Sequence, residues 1–307
     1  MTLNSELWID SPDLFGCTSI DSFVEACATH CEAYGVNPST LWDFFINGYA
    51  IIDNAVPLEL IDAYLARIGQ IREQSPSDVL ASCGRDPMPL SELDPAKPLT
   101  KILDTHWIAQ EANPLVFSDK IRNFIACLLD EELLAFQSLH FEVGSTQAVH
   151  QDPAYVVIAG RPNHFAASWI ALEDIGIGSG ELVYYPKSHR FDNFLYGLQK
   201  NRKHWDPAID GNEIHDHHLF WLHEEAQRKG LTLSRFAPRK GDALIWHSDL
   251  AHGGGEITQK NVTRRSLVTH YTRISDTPYY FRDTIGWRSS RVMTFPGWGH
   301  KCSMYYQ

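Results

Sequence analysis

His150 and Asp152 stand one residue apart in AVHQDPAY, residues 148–155. In an extended chain, side chains two apart share a face, so an imidazole and a carboxylate would point the same way. One more imidazole would complete a two-histidine, one-carboxylate set. That set suits non-haem iron(II), because it leaves coordination positions open for dioxygen and a chelating cosubstrate. His-x-Asp alone is a weak signal, but the stretch KGDALIWHSDLAHGGG supplies His252 after a strand-like run and before three glycines. Glycines beside a ligand let backbone and cosubstrate approach closely. Twelve residues later, Arg264 opens the β-type run RRSLVTHY. A buried arginine there could hold the far carboxylate of 2-oxoglutarate with a bidentate fork that lysine lacks. Its neighbour Arg265 is the alternative.

The chain has fifteen histidines, so false matches must be weighed. His247-Ser-Asp249 is a second His-x-Asp, but its distant downstream histidine is His300, with no arginine beyond it. It reads as the end of a strand and a turn. His215, His217, His218 and His223 fall in a polar insertion beside a helical stretch and read as structural. Cys27, His30 and Cys31 lie a helical turn apart in SFVEACATHCEAYG. They read as the packed face of a helix rather than a metal clip. Tyr155, three residues past Asp152, faces substrate or packs.

The elements that must position these residues follow from periodicity. WDFFINGYAIIDNAV reads as a short helix, a break at Gly48 and a strand from Tyr49 to Ile52. Pro57 then starts a helix with Leu60, Ile61, Tyr64, Leu65, Ile68 and Ile71 on one face. Residues 75–100 carry five prolines and read as an irregular surface segment. Ser118–Leu134 reads as a helix with Ser118 as its cap. From about residue 134 the texture changes to short apolar runs between turns: LAFQSLHFEV, YVVIAG, FAASWIAL, ELVYYP, DALIWH and RSLVTHY. Such a series indicates an all-β sandwich or barrel rather than βαβ units. The expected organisation is a helical extension over residues 1–40 and a single domain over 41–307. A helical insertion interrupts that domain at about 191–230.

At 307 residues, with 44% apolar and 21% charged residues, the composition is that of a globular protein with one large core. A formal charge of −12 argues against nucleic acid as a partner and disfavours a polyanionic substrate. No apolar run approaches the roughly 20 residues of a membrane helix. MTLNSELWIDSPDLFG has neither a basic start nor an apolar core, so no signal peptide is expected, and the expected location is the cytoplasm.

FINGYAIIDN, HQDPAY, SWIALEDIGIGSGELVYYPKSHR, GDALIWHSDLAHGGG and RRSLVTHY together resemble the phytanoyl-CoA dioxygenase family, over roughly residues 41–75 and 134–272. The resemblance implies a mainly β fold, the double-stranded β-helix or cupin-like jelly roll, with flanking α-helices. It implies His150, Asp152 and His252 as iron ligands and Arg264 as the arm for 2-oxoglutarate. Trp169 would line the cosubstrate pocket, and Gln137 is the polar residue facing the site. His189 falls near the pocket rim. Related halogenases replace the carboxylate with a small residue; Asp152 therefore points to oxygenation.

The expected activity is hydroxylation of an unactivated C–H bond in a small metabolite, using iron(II), 2-oxoglutarate and dioxygen and releasing succinate and carbon dioxide. Desaturation or ring closure can follow from the same chemistry. The alternatives are an acyl-CoA hydroxylase, a jelly-roll binding protein that has lost catalysis, and a cupin-like metalloenzyme that would not need Arg264. Residues 191–237 and the aromatic tail TPYYFRDTIGWRSSRVMTFPGWGH are expected to shape the substrate pocket.

Overall fold

The computed structural model describes residues 19–84, 86–280 and 292–306. The strands are β1 (Tyr49–Ile52), β2 (Leu80–Cys83), β3 (Met88–Pro89), β4 (Thr100–Leu103), β5 (Leu133–Phe141), β6 (Val156–Ile158), β7 (Ala166–Ala171) and β8 (Leu182–Tyr184). After a long helix, Pro207–Arg228, come β9 (Ser234–Phe236), β10 (Ala243–His247), β11 (His252–Gly254), β12 (Ser266–Arg273), β13 (Pro278–Tyr280), β14 (Met293–Phe295) and β15 (Gly299–Lys301). The large sheet runs β1-β10-β7-β12-β5-β4-β2-β3, with β15 alongside β5. A smaller sheet runs β11-β8-β9, and β13 pairs with β6.

Alternation along the strands sorts the core into two layers. Trp169 of β7, Leu244 and Trp246 of β10 and Val268 of β12 pack against Leu182, Tyr184 and Phe236 of the smaller sheet. The opposite face of the same strands, with Ala166, Ile170, Ile245 and Leu267, packs under helices through Phe44, Ile61 and Ile68. Two sheets facing across one apolar layer, with helices behind the larger, are the expected jelly roll. A β-bulge between His270 and Tyr271 of β12 shifts the pairing with β5, so that Gln137 opposes His270 while Ala135 opposes Tyr271.

The helix–Gly48–strand reading of residues 41–52 matches the structure: Pro38–Asn47 is helical, Gly48 caps it at φ 81°, and β1 follows. Three expectations need correction. Residues 75–100 are not wholly irregular, because β2 and β3 extend the large sheet and Ala81 and Leu90 are buried. Prolines fall at sheet edges and turns, where no ladder donor is needed. Ser118 occupies the start of the Asp119–Leu129 helix, but its hydroxyl makes no capping bond there, and the helix ends at Leu129 rather than Leu134. The apolar face of that helix, buried through Ile121, Phe124 and Ile125, holds it instead.

The helix Ile20–Tyr34 contributes Phe23, Cys27 and Cys31 to the main core, and its serine cap, Ser19, forms a capping box with Ser22. Of the aromatic tail, residues 281–291 lie outside the described residues. Beyond them β15 docks parallel to β5, and Tyr305 reaches the cavity described below.

Candidate active site

The chain is extended through Gln151, which places His150 and Asp152 on one side before a 3-10 turn begins at Asp152. His150 and His252 exchange backbone hydrogen bonds of 2.9 and 3.0 Å, so the two imidazoles start from directly opposed positions. Each imidazole Nδ1 lies 2.8 Å from the carbonyl oxygen two residues earlier, Ala148 for His150 and Leu250 for His252. A carbonyl only accepts, so both Nδ1 atoms carry the proton and both Nε2 atoms present lone pairs. Those two Nε2 atoms each lie 3.6 Å from Asp152 Oδ1. The Gln147 amide nitrogen also donates toward the His150 Nε2, at 3.3 Å. The three ligand atoms fall within 4.8 Å of one another. Two lone-pair nitrogens and one carboxylate oxygen converging on a point fit a divalent iron ion.

Charge favours the same state. Burial pushes the Asp152 carboxyl up, but His252, His150 and His270 outweigh it and hold it well below the usual carboxylate range. Burial, only partly offset by Asp152, lowers His252 to about 4, so its ring is neutral near pH 7. Two neighbours of Asp152 escaped the sequence reading. Trp246 donates its Nε1–H to Asp152 Oδ2 at 2.8 Å, and His270 Nε2 lies 3.4 Å from the same oxygen. Both sit in runs singled out for other residues, at the alternate positions that face inward.

Behind the triad lies a cavity of about 210 Å³, lined by the three ligand residues together with Arg264, Trp169 and Gln137. Arg264 is 2% exposed, and burial lowers its guanidinium to about 10 despite Glu181 and Glu173 nearby. It donates Nε–H to the Gly180 carbonyl at 2.9 Å and Nη1–H to Ser266 Oγ at 2.6 Å, and lies over the Trp169 and Phe141 rings. No carboxylate among the described residues forms an ion pair with it. Glu181 is engaged by Arg235, and Glu173 by Arg265. Arg265 is half-exposed and paired with Glu142. The arginine aimed into the cavity is therefore Arg264. Gly180 must have no side chain: its φ is 84°, and a Cβ would meet Gly144 Cα at 2.7 Å.

The glycines after His252 allow the close approach of backbone that was expected of them. A Cβ on Gly253 or Gly254 would collide with Gln147 O or Thr146 N at 2.7 or 2.6 Å, so they admit the segment leading into His150. Gln137 also lines the cavity and donates its amide to Tyr305 Oη at 2.9 Å. Tyr155 lies edge-on to His150 at 5.3 Å and shares a 2.8 Å hydrogen bond with His215, which is itself layered on Trp205.

Five further histidines are accounted for locally. His218 meets Tyr196 Oη at 2.6 Å, and His223 meets Tyr185 Oη at 2.9 Å. His247 Nδ1 accepts from the Asp249 backbone, and Asp249 pairs with Lys203. His189 Nε2 lies 3.1 Å from the Phe45 carbonyl and fills the space beside Gly48, a structural place. His30 Nε2 lies 2.9 Å from the Cys127 carbonyl, which leaves the Cys27–Cys31 helix face as packing.

The sequence pattern of the phytanoyl-CoA dioxygenase (PhyH) family matches residues 45–266, which include all three ligand candidates and Arg264. The chain belongs to the phytanoyl-CoA dioxygenase family. It is a 2-oxoglutarate-dependent dioxygenase that uses iron. Among curated proteins no relative matches by sequence. Solved structures with the same fold include the non-haem carbocyclase SnoK from nogalamycin biosynthesis, 16% identical with a TM-score of 0.58 over 82% of this chain and 89% of that one. EctD from S. alaskensis with bound Fe is 16% identical, with a TM-score of 0.57 over 78% of each chain. HygX from Streptomyces hygroscopicus, with nickel and 2-oxoglutarate bound, is 14% identical with a TM-score of 0.53 over 78% and 88%. At these identities the likeness establishes the shared jelly roll. Among the described residues no helix is long and apolar enough to cross a membrane.

Proposed function

We propose that this dioxygenase hydroxylates a C–H bond of a small polar metabolite, with iron held by His150, Asp152 and His252 and 2-oxoglutarate held by Arg264. One observation carries the assignment. A buried guanidinium without an ion-pair partner among the described residues opens into the same cavity as three converging metal donors. Leaving such a cation buried and unpaired is unfavourable by several kcal/mol, on the order expected for isolated buried charges, so the site is built for an incoming carboxylate.

Bound iron(II) with its keto-acid cosubstrate would supply the oxidising power to activate an unreactive carbon. The chain supplies position. Arg264 fixes the distal carboxylate through its planar fork, and Ser266 and Gly180 fix Arg264. Trp169 forms the wall beside that guanidinium. Gln137, oriented by Tyr305, is assigned to the wall shared by cosubstrate and substrate. Val268, Leu182 and Trp246 exclude water around the reacting centre. The cavity lining also holds Tyr155, His215, Lys101 and Ser82 as polar groups, with Leu139 and Val156 among its apolar ones.

That lining favours a small polar substrate over an acyl-CoA. Among the described residues its cations are Arg264 and Lys101, and with Arg264 assigned to the cosubstrate a single lysine is left toward a polyphosphate. Solved structures of the same fold include a carbocyclase and an epimerase, so hydroxylation is the default rather than the only outcome of this scaffold.

The test is aerobic incubation with iron(II), 2-oxoglutarate and a panel of hydroxylated and amino-bearing metabolites beside acyl-CoA esters, reading succinate. Substrate-dependent succinate that disappears in His150→Ala and Asp152→Ala is expected. Robust turnover without 2-oxoglutarate would overturn the mechanism, and turnover confined to acyl-CoA esters would overturn the substrate class.

A further inference from the structure

The least explained group near the centre is His270. It is 4% exposed, lines the cavity, and neither ring nitrogen has a hydrogen-bond partner of good geometry among the described residues. Its ring is fixed by aromatic walls, Phe136 at 5.9 Å, Phe165 at 5.8 Å and Trp246 edge-on at 6.4 Å. Phe136 reaches that wall because the β-bulge opposite His270 turns it to the same side as Gln137. Buried polar nitrogens held in place without a partner need a reason. Asp152 Oδ2 lies 3.4 Å from its Nε2.

Oδ2 is the carboxylate oxygen turned away from the two ligand histidines; Oδ1 faces them. A carboxylate only accepts, so the His270 tautomer with its proton on Nε2 is the one that can engage it. Trp246 already donates to Oδ2 at 2.8 Å. The indole bond is formed, and the imidazole, 3.4 Å away, is the second group able to donate to the same oxygen.

Resting on the metal assignment above, we propose that Trp246 and His270 are positioning residues that clamp Asp152 Oδ2 and restrict Asp152 to a single ligand oxygen. The consequence is in the coordination count. Three one-atom ligands leave three positions, of which a chelating keto acid fills two and the third stays open. An unclamped carboxylate can swing to bind through both oxygens, which would close that last position. Outer partners of metal ligands are known to tune sites in this way. The clamp is assembled from β10 and β12, neighbours of β7 in the large sheet, so packing rather than local sequence sets its geometry.

Manganese(II) serves as the probe, with 2-oxoglutarate, and water-proton relaxation as the readout of exchangeable metal-bound water. The wild-type complex should show one rapidly exchanging water. Trp246→Phe and His270→Phe should each lower the relaxation enhancement, and the double variant should reduce it to that of a complex without bound water. His270→Gln, which restores an N–H donor, should recover most of it. A merely structural role for these rings would lower stability without this pattern of loss and rescue. Full enhancement in both single variants, with 2-oxoglutarate bound, would overturn the clamp. A wild-type protein that binds neither manganese(II) nor 2-oxoglutarate would instead overturn the functional reading, so the two failures are distinct.

Discussion

Two groups of histidines in this chain have opposite fates. His150 and His252 sit on opposed extended segments, give their Nδ1 protons to carbonyls two residues back, and are left with converging lone pairs. His215, His218 and His223 sit on the Pro207–Arg228 helix, and each spends a ring nitrogen on a separate tyrosine hydroxyl. Density of histidines is thus no guide to metal binding. What matters is whether local backbone commits one nitrogen and tertiary packing leaves the other facing its counterparts.

The largest effect that would break this contrast comes from exchanging roles. His252→Ala should abolish iron binding and lower succinate formation by about a thousandfold or more, a loss of several kcal/mol in transition-state stabilisation. His223→Ala, on the exposed side of the helix, should leave turnover within about twofold, as surface changes usually do. A strong loss in His223→Ala with a mild one in His252→Ala would reverse the assignment.

Next in size is the carboxylate arm. Arg264→Ala should raise the KM for 2-oxoglutarate by about 100-fold, the worth of a charged hydrogen-bonded pair. Arg265→Ala, which disrupts only pairs with Glu142 and Glu173, should change it by less than about threefold. The reverse ranking moves the role by one residue.

A smaller effect tests the one member of the helix group that reaches the cavity. Tyr155→Phe removes the hydroxyl bonded to His215 beside His150. A drop of about tenfold in kcat/KM for substrate, with 2-oxoglutarate affinity unchanged, is expected from one lost hydrogen bond. An equal loss in both parameters would place Tyr155 with the metal site instead.

The smallest effect separates the groups by pH. Burial lowers His218 to about 3, below its ordinary 6.5, despite Asp249. The unfolded chain therefore takes up a proton that the folded chain refuses. Stability is full above pH 6.5 and is lost as pH falls toward 3, at up to about 1.4 kcal/mol per pH unit for this group. His218→Asn should flatten the fall of melting temperature with acid; an unchanged slope would show that His218 does not contribute.

Much of the site was readable along the chain. His-x-Asp, the later His252 and the nearby arginine are local patterns; of the four residues only His252 lies in a strand, while His150 bridges to it, Asp152 opens a 3-10 turn and Arg264 precedes β12. The choice between Arg264 and Arg265 was settled only by burial, because adjacent residues on a strand face opposite ways and sequence did not fix which way was inward. Trp246 and His270 were missed for the same reason. Each lies in a recognised run, but their meeting at Asp152 Oδ2 joins residues 94 and 118 positions apart from it, through strands ordered by the sheet. The proline-rich 75–100 segment differs from its reading because its strands are short and held by pairing onto β4, which itself lies against the remote β5, contacts that composition does not show.

By itself, the sequence determined the chemical types available: two imidazoles, one acid, one arginine, and the alternation that makes strands of their surroundings. Tertiary structure decided which nitrogen of each ring is committed, which oxygen of Asp152 faces the metal position, and which arginine is buried. Those outcomes depend on distances of a few ångströms between remote segments, and such distances are set by close packing across the two sheets rather than by any neighbour along the chain.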